Sequence, residues 1–244
     1  MPEHEIVKHT KAIYNAWNEP HRSWKHKLGE VLIEIGIIVF AITLSLFLER
    51  WRERQHEKEI EKQFLVGLKS DLIKDINQES GDSSAYAEIL LGWSYLRKSG
   101  IEKRVLPTDS LNLYLQILMN TTGFIPNSSR FEALKSSGEL GVIENAVLQN
   151  KILDLYQYKI RTLIVATDDF IAMQQNHLVP FLAEKLIVQS NGKQNLNKLL
   201  QIPQMQNFLI YGQLSALIIS RYHNVMEQNR DIIQLINRQY DLSN

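Results

Sequence analysis

The chain has 244 residues, 44% of them hydrophobic, with 27 Lys+Arg against 27 Asp+Glu and no cysteine. That length holds one ordinary domain plus an anchor, or two small domains. A balanced charge speaks against a nucleic-acid binder, which carries a basic excess, and the lack of cysteine excludes disulfides, thiolate zinc sites and a cysteine nucleophile.

Pro and Gly are sparse, at 6 and 11, and long stretches are rich in Leu, Ile, Gln, Glu and Lys. Such stretches favour helix over sheet. The expected fold is all-α: one N-terminal transmembrane helix continuing into an antiparallel helical bundle. Residues 1–27 read as a short tail, 28–48 as the membrane helix, 49–63 as a charged juxtamembrane helix and 64–244 as the bundle.

In the tail, His4, Glu5 and His9 have the wrong spacing for a zinc-protease motif, and one helical face cannot grip a metal alone. The segment Leu28–Leu48 would form a helix roughly 31 Å long, close to the hydrocarbon thickness. Thirteen Val, Leu, Ile and Phe side chains lie between Val31 and Leu48. Together they favour insertion by roughly 4 to 8 kcal/mol, against at most about 3 kcal/mol for Glu34. Trp24 and Trp51 bracket the segment about 40 Å apart and read as interfacial anchors. A cleaved signal peptide does not fit, because Glu49-Arg-Trp-Arg52 follows where a small-residue cleavage site belongs.

One face of this helix is unlike lipid. At 100° per residue, Glu30, Glu34, Ala41 and Ser45 share a sector about 60° wide. Acidic and small residues on one side of a membrane helix face another helix or a polar cavity, so this face is the candidate for self-association. Gly29, Gly36 and Thr43 form a second seam of small residues. Arg50, Arg52, Arg54, Lys58 and Lys62 follow the segment, and Arg22, Lys25 and Lys27 precede it. Those counts favour a cytoplasmic bundle, but long domains translocate largely regardless of charge, and the expectation is a periplasmic bundle.

Past the membrane, Glu49, Glu53, Glu57 and Glu61 form one i,i+4 row, and Arg50, Arg54, Lys58 and Lys62 the next. The pattern describes a solvated helix face, or twin stripes of opposite sign on which copies could dock. Ile60, Phe64, Leu68, Leu72 and Ile76 then recur every fourth residue, predicting a first bundle helix that ends near Gln78–Asp82. Further helices are predicted over Ser83–Lys98, from Thr108 or Asp109 to Met119, and over Ser128–Ser137 before Gly138. A long helix follows from Asn145 towards Val179, where Pro180 breaks or kinks it. After the turn at Ser190–Gly192, the last helix runs from Gln204 to Tyr240. Its seam of Ile218, Tyr222, Val225, Asn229, Ile232 and Ile236 alternates steps of four and three, as in an antiparallel bundle.

No catalytic or cofactor motif is visible. Gly138-Glu-Leu-Gly141 has too few glycines for a phosphate loop or a dinucleotide fingerprint, and the adjacent Asp168 and Asp169 point about 100° apart on a helix. The expectation is a protein without intrinsic catalysis, cofactor or metal.

Gly29-Glu30, Gly36, Ala41 and Trp51, followed by a charged helix and Phe64-Leu65…Leu68-Lys-Ser-Asp71-Leu72, resemble a group of uncharacterised bacterial single-pass membrane proteins. Phe131–Ile143, a tight helical corner around Gly138 and Gly141 in which Ser136, Ser137 and Glu139 could line a notch, is similar to their second recurring block. The resemblance implies a bacterial inner-membrane protein with a helical domain and brings no activity. The expected function is a membrane-anchored interaction or scaffold module. Its partners would be the bilayer and either further copies of itself or another membrane protein, with no nucleic acid. The alternative is a sensor-like bundle that binds a small ligand between its long helices and signals to a partner through the anchor helix.

Overall fold

A computed structural model gives the fold for residues 24–190 and 193–241, with the side chains of 24–27 and of Glu30 outside the described set. The first helix, α1, is continuous from Trp24 to Ile101. It contributes to two units that divide between Ile60 and Glu61.

In the first unit α1 carries the apolar segment. Its most apolar 18-residue window has a mean hydropathy of 2.7, and none of that window is buried. Phe40 and Ile33 are 68% and 65% exposed, the reverse of what a core helix of a water-soluble protein shows. Residues 49–59 are charged or polar apart from Trp51, and all are exposed.

The second unit begins with Glu61. After α1 come α2 (Thr108–Met119), α3 (Ser129–Ser136) and a single 3-10 turn, Glu139–Val142. The long α4 occupies 146–185, made of Ala146–Asp154, Ile160–Met173 and Val179–Lys185 joined by π-turns Leu155–Lys159 and Gln174–Leu178. The one-turn α5 (Leu196–Leu199), α6 (Pro203–Tyr211) and α7 (Leu214–Tyr240) complete the chain. Among the described residues the β structure is one isolated bridge, Val188 to Gln194. The fold is all-α, as the sequence predicts.

The core forms where α1, α4 and α7 turn their seams inward. Along α7 the whole row Ile218, Tyr222, Val225, Asn229, Ile232 and Ile236 is buried, as the four-three pattern requires. Along α1 the buried row is Glu61, Leu65, Leu68, Leu72, Asp75, Glu79, Asp82, Tyr86, Ile89, Trp93 and Leu96, again in steps of four and three. Gln239 meets Glu61 and Tyr222 meets Asp82, so the two helices run antiparallel.

That row explains why α1 does not end at Gln78–Asp82, where the sequence predicts a stop. Asp82 and Ser83 face inward and the apolar row resumes at Tyr86, so the buried face is unbroken. Gly81 costs a helix roughly 1 kcal/mol, less than burial of Tyr86, Ile89 and Trp93 returns. Glu61 also departs from expectation. It is 3% exposed and accepts hydrogen bonds from Glu144 N and Gln239 Nε2, both at 3.1 Å, so it leaves the solvated acidic row and joins the bundle.

In α4 the inward row Leu148, Ile152, Leu155, Ile160, Leu163, Thr167, Phe170, Gln174, Leu178 and Leu182 keeps steps of three or four except at Leu155–Ile160. The first π-turn takes up the extra residue there and keeps the face aligned. The second π-turn lies just before Pro180. It loosens the turn holding the Asn176 carbonyl, which the proline ring would otherwise strike, and the helix continues to Lys185 instead of breaking. Asn145 caps α4, its side chain accepting from Val147 N and Leu148 N at 3.1 Å.

The predicted helix Gln204–Tyr240 is two helices, α6 and α7. A Cβ at Gly212 would lie 2.7 Å from Trp93 Cβ and 2.8 Å from its Cε3, so the chain turns at the one residue able to pass the indole. Gly138, with φ 78°, ends α3 in the left-handed conformation expected of a helix stop.

Candidate functional site

The residues the sequence proposes for helix association fall in the first unit. Glu34, Ala41 and Ser45 share one face of α1 by the helical period; the side chains of Glu30 and Trp24 lie outside the described residues. Ser45 Oγ donates to Ala41 O at 2.9 Å, and on the opposite face Thr43 Oγ1 donates to Val39 O at 2.7 Å. Both hydroxyls are satisfied within their own helix, which lets them sit in an apolar medium at little cost. A Cβ at Gly29 or Gly36 would meet nothing within 4 Å, so both glycines open onto free surface. Trp51 is 56% exposed at the other end of the segment.

In the corner after α3, Phe131 and Leu134 are buried and Phe131 stacks on Tyr156 with ring centroids 4.4 Å apart. Ser137 Oγ contacts Leu134 O at 3.0 Å and Glu139 Oε2 at 3.1 Å. Ser137 thus finds its partners within the corner itself.

The second unit holds a feature that the sequence reading misses. Asp75, Glu79 and Asp82 occupy three successive positions of the α1 seam; Asp75 and Glu79 are fully buried and Asp82 is 9% exposed. The carboxylates meet neutral partners from the loop between α2 and α3 and from α7. Asp75 accepts from Asn127, through its backbone N at 3.1 Å and Nδ2 at 2.6 Å. Glu79 accepts from Asn229 Nδ2 on α7 at 2.9 and 3.1 Å. Asp82 accepts from Thr122 Oγ1 at 2.5 Å, with Tyr222 OH at 3.4 Å. Among the described residues no Lys or Arg lies within ion-pair distance of the three, and no His/Asp/Glu group is placed to hold a metal ion.

Burial without a cation raises the cost of ionisation. Burial pushes the Glu79 carboxyl up to about 8, helped by the Asp75 charge and opposed by the Asn229 hydrogen bond and the Arg230 charge. Asp75 is raised as well, again by burial, against the hydrogen bonds from Asn127. The Tyr222 phenol is driven up by burial and by the Asp82 charge. At neutral pH Glu79 therefore holds its proton and has an O–H to donate. Asn229 Oδ1, buried and without a partner, is the acceptor that a half-turn of the amide would offer it. This arrangement stores a proton in the core, beside an aromatic cluster in which Tyr86, Trp93 and Phe170 meet at 5.4 to 5.6 Å.

A signal for this seam exists in the sequence. Stepping three and four from Leu65 lands on Asp75, Glu79 and Asp82, whereas stepping by four from Ile60 leaves the buried face after Leu72. No family model, curated protein or solved structure matches the chain.

Proposed function

We propose that the chain is a single-pass, membrane-anchored helical scaffold of the bacterial inner membrane, its bundle on the periplasmic side, acting by interaction rather than catalysis. The observation that carries this reading is the apolar segment of α1, long enough to cross a bilayer and with none of its most apolar window buried. Water would make that exposure costly at roughly 25 cal/mol per Å², and hydrocarbon removes the cost. The bundle supports the reading from the other side, since it has its own core and does not need the segment. Copies associate through the Glu30, Glu34, Ala41 and Ser45 face, where small side chains let helices approach. A second reading, a ligand-binding bundle that signals to a partner, draws support from a cleft between α4 and α7.

Fractionation of native membranes tests the anchoring. The full chain is expected to sediment, to resist extraction at high pH and to be released by detergent. Folded full-length chain in the supernatant without detergent would overturn it. Orientation follows from Leu91→Cys, an exposed position in a cysteine-free chain, which a membrane-impermeant maleimide should label from the periplasmic side.

A further inference from the structure

The first π-turn of α4 opens a cleft against α7. Its volume is about 280 Å³, just below the ~300–1,000 Å³ of ordinary small-molecule sites, so any occupant is small. Its lining includes two cations, Lys159 from the π-turn and Arg221 from α7, and no carboxylate. Among the described residues neither cation has an acidic partner within ion-pair distance, unlike Lys151 two turns earlier, which holds Asp231 at 2.8 Å.

Both cations are instead held by neutral acceptors that leave charge and donors to spare. Lys159 Nζ donates to Gln228 Oε1 at 2.9 Å, and Gln228 is fixed in turn by its own amide donating to Lys151 O at 2.9 Å and Asp154 Oδ2 at 3.3 Å. One guanidinium nitrogen of Arg221 donates to Thr162 O, leaving the rest of its planar fork uncommitted. Ser220 and Asn224 add neutral hydrogen-bonding groups at the rim. Tyr158 and Leu217, 64% and 50% exposed, supply an aromatic and an apolar wall. Two pre-positioned cations without counter-charges, beside exposed apolar surface, make a receptor for an oxyanion on an apolar body.

We infer that the α4–α7 cleft binds a small organic acid, its carboxylate or phosphate between Lys159 and Arg221 and its apolar part against Tyr158 and Leu217. The site lies wholly within the second unit, so it stands or falls separately from membrane anchoring.

The test is titration of the detergent-solubilised full chain with benzoate, phenyl phosphate and inorganic phosphate, followed by saturation-transfer NMR and thermal melting. Saturable binding of benzoate or phenyl phosphate is expected, weakened by about tenfold or more in Arg221→Gln. Ser220→Asp, at an exposed rim position that leaves folding intact, should remove binding by placing a negative charge in the cleft. No saturation up to about 10 mM with either organic probe would overturn the inference, as would binding unchanged in both variants. Inorganic phosphate binding as tightly as phenyl phosphate would overturn the assignment of an organic ligand.

Discussion

Asn229 on α7 reaches Glu79 on α1 with its Nδ2 2.9 and 3.1 Å from the two carboxylate oxygens, and neither residue exposes any surface. A carboxyl group at the centre of an apolar bundle, paired only with an amide, is held in its neutral form. The interaction joins helices 150 residues apart in the chain, so its protonation state is written into the stability of the whole bundle.

The sign follows from the raised Glu79 value. Between the ordinary 4.5 and about 8, the folded chain keeps a proton that the unfolded chain releases. Stability is therefore fully present below about pH 4.5 and falls as pH rises through 8, by at most about 1.4 kcal/mol per unit. Asp75, also raised, adds in the same direction. Urea midpoints measured from pH 5 to 9 should decline and then level off. Glu79→Gln, which copies the protonated shape, should remove most of that decline and melt above the parent at pH 8. A parent chain that gains stability from pH 5 to 8, or a variant with an undiminished slope, would sink the assignment.

Two glycines, Gly81 inside α1 and Gly212 at the turn between α6 and α7, separate packing from propensity. At Gly212 a Cβ would strike Trp93, and neither the indole nor the Trp93 backbone can yield easily, so Gly212→Ala should cost about 1–3 kcal/mol. At Gly81, inside α1, a Cβ meets nothing within 4 Å, so Gly81→Ala should stabilise by about 0.5–1 kcal/mol. Chemical denaturation of the two variants side by side checks both signs. Equal effects would mean that Gly212 does not turn the chain for the indole.

Helix α4 starts where Asn145 supplies two hydrogen bonds to otherwise unpaired backbone N–H groups. Asn145→Ala should cost about 1 kcal/mol, and Asn145→Asp should restore most of it, since a carboxylate caps as well and favours the positive helix end. Amide exchange at Val147 and Leu148 reads the cap directly. Unaltered protection there in the alanine variant would show that the cap contributes nothing.

What could be seen in the sequence was what side-chain identity spells out. The α7 row from Ile218 to Ile236 and the apolar run of α1 are written in Ile, Leu, Val and Tyr, and their period could be counted directly. The acidic seam was not legible because Asp75, Glu79 and Asp82 look like solvated residues, and the row taken from Ile60 in steps of four turns about 40° per step. Phe64, Leu68 and Leu72 of that row are buried, but Ile76 is half-buried and the next position, Ser80, is exposed, so the row leaves the face that Asp75 and Glu79 continue. The π-turns had no residue signature, since any residue type fits the extra position; only Pro180 hinted that the ladder of α4 is adjusted. The break at Gly212 depends on where Trp93 sits, which no local pattern records. The cleft at Lys159 and Arg221 likewise arises from two residues 62 positions apart whose approach is set by packing.

Self-association of the anchor can be mapped residue by residue because the chain contains no cysteine, so each introduced thiol reports alone. A disulfide needs Cα atoms closer than about 7 Å, which only facing positions of two parallel helices reach. On the proposed face, Ala41→Cys and Ser45→Cys should dimerise on oxidation in membranes, whereas Val39→Cys and Leu46→Cys, on the far side, should not. Ala41 is the cleaner position, since Ser45 Oγ is bonded to the Ala41 carbonyl and its loss removes a hydrogen bond within the helix. Gly36 and Thr43 lie opposite and offer a rival contact of small residues with no acidic neighbour. Cross-linking centred on Thr43→Cys would transfer the interface to that seam. Cross-linking at every position alike would mean random collision, and at none, an anchor that works as a single helix.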